Sequence, residues 1–202
     1  MNEKEGNGIR RALISVWNKE GVEQFARSLS EAGVQIISSG GTARFLSKAS
    51  IPVIPVEDVT GFSEMLDGRV KTLHPKIHGA ILARRANPSD METVKAHGIV
   101  PIDVVAVNLY PFVRMLEDGV AGDSLLEYID IGGPTLLRAA AKNYKDVLVV
   151  CDPADYDEVA RYIAEGGSVD MKLRQRLAAK VFDVISDYDR SIANWLASSQ
   201  LS

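Results

Sequence analysis

The sequence predicts an α/β fold, a three-layer arrangement in which a mostly parallel sheet is flanked by helices and followed by a C-terminal helical extension. Three observations carry that expectation. Short apolar runs such as DVVAVN and DVLVVC show no polar alternation, so neither face of those strands is left for water. Between the apolar runs lie segments whose hydrophobic residues recur at three and four positions, the helical period. Strands buried on both faces and alternating with helices form parallel sheets, because each parallel strand must be reached by a crossover.

The run from Arg10 to Val16 is the first strand, and GVEQFARSLSEAG then places Val22, Phe25, Ala26 and Leu29 on one helical face, with Gly33 as the stop. VQIIS is the second strand and GGTARFLSKA the second helix. IPVIPV is extended, and its two prolines, which cannot donate to a ladder, assign it to a sheet edge or a strand end. A short helix is expected at SDMETVKAHG, before DVVAVN and DVLVVC supply two further strands. After DPADYDEVARYIAEGG, helical spacing relates Leu173, Leu177, Val181, Val184, Tyr188, Ile192 and Trp195. That is one long amphipathic helix or two in tandem, packed on the domain or on another subunit. The expected boundaries are a disordered tail at residues 1–9, a single domain at 10–168 and the helical extension at 169–202.

Composition narrows the function classes. Hydrophobic and charged fractions of 46% and 25% are those of a globular protein, and no apolar run reaches the roughly 18 residues that read as a membrane span. The polar start MNEKEGNG lacks the apolar segment of a secretory signal, so the expected compartment is the cytoplasm. A net charge of -4 gives no electrostatic footprint for nucleic acid and leaves a small phosphorylated metabolite as the expected partner. The one cysteine, Cys151, has no partner for an internal disulfide and reads as a buried thiol.

Ligands of open parallel sheets bind beyond the carboxyl ends of the strands, so the residues following each strand are the candidates. Ser15 and Lys19 follow the first. SSGGT follows the second and opens a helix, where two glycines permit close backbone approach, free N–H groups carry partial positive charge, and Ser39 and Thr42 add hydroxyls. The alternative is a tight turn in which Ser39 only caps the helix. The stretch is neither a Walker A loop nor a G-x-G-x-x-G fingerprint, which disfavours ATP and NAD. NLYPF sets Asn108 and Tyr110 at the same edge, with Tyr110 either stacking on a base, donating a proton or packing as half-buried core. In DIGGPTLLRAAAKN, Pro134 suits a first helical turn, so Gly132 and Gly133 lie near an open helix end with Asp130 just before them. Such N–H groups stabilise an oxyanion, and the adjacent carboxylate moves a proton. Lys142 shares a helical face with Thr135 and Arg138 and must reach back to meet Asp130. In GRVKTLHPKIHG, His74 and His78 have metal-ligand spacing, but Pro75 lies between them and no HExxH glutamate follows, so no metal is expected. The cations there read instead as recognition of an anionic ligand, with Lys71 placed to stabilise transition-state charge.

Together, SGGTARFL, TGFSEMLDGRVKTLHPKIHGAIL, NLYPF and IDIGGPTLLRAAAKN closely resemble the IMP cyclohydrolase domain of the bifunctional AICAR transformylase/IMP cyclohydrolase enzymes of purine biosynthesis. The resemblance runs from about Arg10 to the long C-terminal helix and implies a methylglyoxal-synthase-like, Rossmann-like fold. It implies ring closure of 5-formamidoimidazole-4-carboxamide ribotide to IMP with loss of water, with no cofactor or metal, in a homodimer. By the same resemblance Ser15, Lys19, Ser39, Gly41 and Thr42 match the phosphate and ribose region. Arg69, Thr72, Asn108, Ile131, Gly132 and Gly133 match the base-binding region, and Lys71, Tyr110, Asp130 and Lys142 the catalytic set. Lys71 with the N–H groups of Gly132 and Gly133 is expected to hold the oxyanion. Asp130, assisted by Lys142, relays a proton and Tyr110 aids loss of water, with donor and acceptor left open among the four.

The chain departs from the family pattern twice. Many relatives have SVSDK where this chain has SVWNK, which puts an indole, Trp17, beside the phosphate region. The family's transformylase domain is also absent from the sequence, implying a separate or missing partner. Two other readings share the fold: a nucleotide-sensing regulatory module without catalysis, and a methylglyoxal synthase. The joint presence of Lys71, Asp130 and Lys142 argues against the first, and the RVKTLHP and NLYPF blocks against the second.

Overall fold

The computed structural model describes residues 8–66, 70–166 and 170–198. Among the described residues five strands, β1 (Arg11–Val16), β2 (Gln35–Ser38), β3 (Ile54–Pro55), β4 (Val104–Asn108) and β5 (Leu148–Val150), form one sheet in the order β3-β2-β1-β4-β5. Every pairing is parallel. Beyond IPVIPV being edge material, only Ile54 and Pro55 of it pair, which leaves the proline at the rim of the sheet. The buried sequence of β4, with Val104, Val105, Ala106 and Val107 all inaccessible, is what helices on both faces require.

The crossovers contain α1 (Val22–Glu31) and α2 (Gly40–Lys48), then α3 (Val56–Thr60), α4 (Pro75–Leu82) and α5 (Pro88–Ala96) between β3 and β4. Next come α6 (Phe112–Glu117), α7 (Asp123–Leu126) and α8 (Gly132–Lys142) before β5, and α9 (Tyr156–Ala164) and α10 (Met171–Ser198) after it. The first two crossovers carry the chain outward from β1 to β3, and the third returns it to the other side of β1. The strand order therefore reverses between β1 and β4, where Val16 lies opposite Asn108.

Pro75 opens α4 at its first turn, where its missing N–H costs nothing. His74 is the N-cap, its Nδ1 accepting the Lys76 N–H at 3.1 Å. The expected tail, residues 1–9, lies outside the described residues except for Gly8 and Ile9, and Ile9 packs against the core. The C-terminal stretch is a single helix, and Leu173, Leu177, Val181 and Ile185 of α10 belong to the same core as the sheet. Farther along α10, Tyr188 joins Phe112 and Leu125 in a second small core, flanked by Ile192 and Trp195. Cys151 is buried, and desolvation pushes its thiol up to about 11. Among the described residues no helix is long and apolar enough to cross a membrane.

Asn143 anchors the C-terminal end of α4. Asn143, buried just past α8, donates from Nδ2 to the carbonyls of Ile81 at 2.8 Å and Ala83 at 3.1 Å, groups a helix end leaves unpaired. Replacing Asn143 by alanine strands both, and the expected loss is about 1–3 kcal/mol of unfolding free energy. Urea denaturation checks this: the midpoint falls with the slope unchanged, whereas an unmoved midpoint contradicts the assignment.

Candidate active site

The carboxyl ends of β1 and β4 open into a cleft of about 610 Å³. Its floor is the Val16 and Asn108 pair, and the N-termini of α2 and α8 enter from either side. The segment Lys71–Thr72 spans the two helix ends. A Cβ on Gly40 at the start of α2 would lie 2.9 Å from Lys71 Nζ, and one on Gly132 at the start of α8 would lie 3.0 Å from Thr72 Oγ1.

On the α2 side, Gly40 takes a φ of 53°, a conformation glycine adopts without strain. Thr42 is buried and its hydroxyl is committed to β1, accepting the Val16 N–H at 3.1 Å and donating to the Val16 carbonyl at 2.9 Å. It fixes the helix to the strand. Ser39 makes no side-chain capping bond although it occupies the N-cap, so its hydroxyl remains available to the cleft. Ser15 and Gly41 line the same wall. Lys19 folds back onto the carbonyls of Val16 and Trp17, and burial lowers its pKa. Asn108 pins the loop after β1: its Oδ1 accepts the N–H groups of Trp17 at 2.6 Å and Asn18 at 2.9 Å, and its Nδ2 donates to the Asn18 carbonyl at 2.9 Å. With that backbone fixed, the 40% exposed Trp17 indole borders the cleft.

On the α8 side, Asp130 faces the helix N-terminus. Its Oδ1 accepts the Gly133 N–H at 2.8 Å. Burial raises its pKa first, and the backbone N–H groups of Gly133, Tyr110 and Gly132 pull the other way without winning. Gly133 permits this contact: a Cβ there would lie 2.4 Å from Asp130 Oδ2 and 2.8 Å from Leu109 Cδ2. Tyr110 is half-exposed, its hydroxyl held protonated by burial and by the neighbouring Asp130 charge. Ile131 is 59% exposed at the rim. Lys71, with 19% of its side chain exposed, pairs with Glu64 at 3.0 Å.

Thus the residues expected at the site line one cleft, with two exceptions. Arg69 lies outside the described residues. Lys142 is exposed at the far end of α8, ten residues and about 15 Å of helix from Gly132, too distant to reach Asp130 within this chain. The expected oxyanion role of the α8 N-terminus is also corrected in part, because the Gly133 N–H is already engaged by Asp130. Glu64, which pairs with Lys71, and Glu127, which lines the cleft, carry no signal in the sequence. Gly40 was identifiable only as part of the GGT turn.

A sequence model of the MGS-like domain matches residues 21–135. The chain belongs to the MGS-like domain family. A second model, that of the AICARFT/IMPCHase bienzyme, matches residues 140–202, the part of this MGS-like chain that contains α9 and α10. Among curated relatives, the bifunctional purine biosynthesis protein PurH of Clostridium acetobutylicum is 53% identical over 192 residues, covering 95% of this chain and 38% of that protein. The protein of the same name from Clostridium botulinum (strain Loch Maree) is 51% identical over 192 residues with the same coverage. The MGS-like chain therefore spans 38% of the length of these relatives. A solved structure described as the crystal structure of ForH superposes with a TM-score of 0.82 at 35% identity, covering 93% of this chain and 98% of that one.

The raised Asp130 pKa has a thermodynamic sign. A carboxyl whose folded pKa exceeds its unfolded value binds protons more readily in the fold, so the stability it contributes is present at acid pH and is lost as pH rises through the folded pKa. Asp130→Asn removes the buried charge while keeping an acceptor for the Gly133 N–H. It is expected to melt higher than the parent chain at pH 7, and the difference closes as pH falls through the raised folded pKa toward the ordinary carboxylate range of about 4. Thermal melts across pH check this, and a variant that melts lower at pH 7 contradicts it.

Proposed function

We propose that this chain is an IMP cyclohydrolase, an enzyme that closes the second ring of the purine from 5-formamidoimidazole-4-carboxamide ribotide with loss of water. The observation that carries this reading is the joining of an anion-binding helix end, a lysine and a partly buried carboxylate in one cleft at the switch point of the sheet. Family membership and the similarity to bifunctional purine biosynthesis proteins support the same assignment.

In this reading the ribotide phosphate sits at the N-terminus of α2, where unpaired N–H groups and the Ser39 hydroxyl meet it. The base lies between Lys71 and Asp130. The carboxamide nitrogen is a weak nucleophile, but it belongs to the same molecule as the formyl carbon, so holding the two in contact removes much of the barrier. As the nitrogen bonds to the formyl carbon, Asp130 takes its proton, and the raised pKa makes this carboxylate a better base than an exposed one. Lys71 stabilises the negative charge on the formyl oxygen. Its partner Glu64 is 44% exposed, so exchange of that ion pair for the ligand costs little. Asp130 then returns the proton to the oxygen, giving a carbinolamine. In the second half, the former formamido N–H yields its proton to Asp130 and the hydroxyl leaves as water with the proton of Tyr110. Asp130 reprotonates Tyr110, and the cycle closes with no change of oxidation state.

The resemblance that suggests this chemistry also suggests a homodimer, and the homodimer belongs to the proposal.

Ultraviolet detection of IMP from the formylated ribotide tests it, with a no-enzyme control because the substrate also closes unaided. Turnover well above the control is expected, falling at least about 100-fold in a Lys71→Ala variant that melts like the parent. Binding of the ribotide without turnover overturns the enzyme assignment in favour of a sensing module.

A further inference from the structure

Asp130 stands in a connection without regular structure, between the end of α7 at Leu126 and the start of α8 at Gly132. What holds that connection is not in its own neighbourhood of the sequence. The Tyr188 hydroxyl, 58 residues away on α10, accepts the Asp130 backbone N–H at 2.7 Å and donates to the Tyr128 carbonyl at 2.9 Å. The ring is buried and stands edge-on to Phe112 at 6.3 Å, inside the small core shared by α6, α7 and α10.

We propose that Tyr188 is a positioning residue for Asp130: the C-terminal helix sets the carboxylate through two hydrogen bonds from one phenol oxygen. Phenylalanine would fill the same packing site, so burial alone gives no reason for the hydroxyl. The hydroxyl matches the two backbone groups that the irregular connection leaves unpaired, one of them on Asp130 itself. Gly133 constrains the carboxylate from one side and Tyr188 the backbone from the other, leaving the 128–130 turn little freedom to move. Burial drives the Tyr188 pKa up to about 12, with Asp130, Asp189 and Tyr110 the charged or titratable neighbours that add to it, so the phenol remains a donor throughout the neutral range.

The arrangement crosses a family boundary. Asp130 falls within the segment that matches the MGS-like domain, and Tyr188 within the segment that matches the bienzyme model. The helix that follows the domain is thereby hydrogen-bonded to the cleft's Asp130 connection through the Tyr188 hydroxyl. This inference rests on the cyclohydrolase reading only for its kinetic consequence.

Two readouts of Tyr188→Phe test it in the full chain, beside Ile192→Ala, which removes packing from the same small core one turn along α10 without touching the hydrogen bonds. Amide hydrogen exchange needs no turnover. Exchange at 128–131 is expected to quicken at least about tenfold in Tyr188→Phe, with Gly40–Thr42 unchanged, and to stay near parent values in Ile192→Ala. In ring closure, kcat is expected to fall about 10–100-fold with KM within about threefold, and the pH-rate limb belonging to Asp130 to shift. Unchanged exchange at 128–131 overturns the proposal whether or not the parent turns over. So does an equal kcat loss in Ile192→Ala, which reduces Tyr188 to packing. If Tyr188→Phe does not fold, the parent decides: exchange of the Asp130 amide slower than that of its exposed neighbour Ile131 supports the bond, and equal exchange overturns it. Absence of turnover in the parent with altered exchange in the variant sinks the cyclohydrolase reading and leaves the positioning role standing.

Discussion

The parallel pairing of β1 with β4 is the constraint on which the site depends. It sets Val16 against Asn108 and leaves a crevice, because the crossovers on either side of that pair lead away in opposite directions. Two helix N-termini then converge on one edge of the sheet, and Lys71–Thr72 closes the gap between them. Thr42 ties α2 to the end of β1, and Asn108 ties the loop after β1 to the end of β4. These are backbone-directed bonds from side chains that read, in the sequence, like ligand contacts. Much of the candidate binding set is therefore scaffold as well as surface.

The opposite wall stores an electrostatic cost. A carboxylate in a partly desolvated position is unfavourable as a charge, and three backbone N–H groups do not compensate in full. The cost is localised by close fit: Gly133 has no room for a Cβ, and Tyr188 holds the backbone behind. Proteins tolerate such a group where the charge has work to do, and here it faces a hydroxyl, Tyr110, that burial first and then the Asp130 field keep protonated. The small core of Phe112, Leu125 and Tyr188 lies behind the Asp130 connection, while α2 and the body of α8 pack into the main core.

The fold was legible because its signals are local and periodic. Continuous apolar runs gave the buried strands β1, β4 and β5, and the three-and-four spacing gave α1 and α10. The short helices α3, α6 and α7 carry too few turns to show a period, and Pro75 was ambiguous because a proline ends one helix as readily as it opens another. The cleft was legible where residues end or closely follow strands, as with Ser39, Thr42 and Asn108, and where Pro134 marks the helix start beside Asp130. Lys142 stands apart: α8 carries it away from the cleft within this chain, a length that family likeness does not show. Glu64 and Tyr188 were hidden for a different reason. Their partners lie across the fold, and a tyrosine on an apolar stripe announces its ring, not its hydroxyl.

The most direct test of the account is a crystal structure of the chain with IMP bound, because the claim is about where each end of one molecule sits. The phosphate is predicted at the N-terminus of α2, against Gly40–Thr42 and Ser39, with the newly closed ring between Lys71 and Asp130 and Lys71 released from Glu64. A phosphate seated elsewhere, or a base directed away from Asp130, contradicts it.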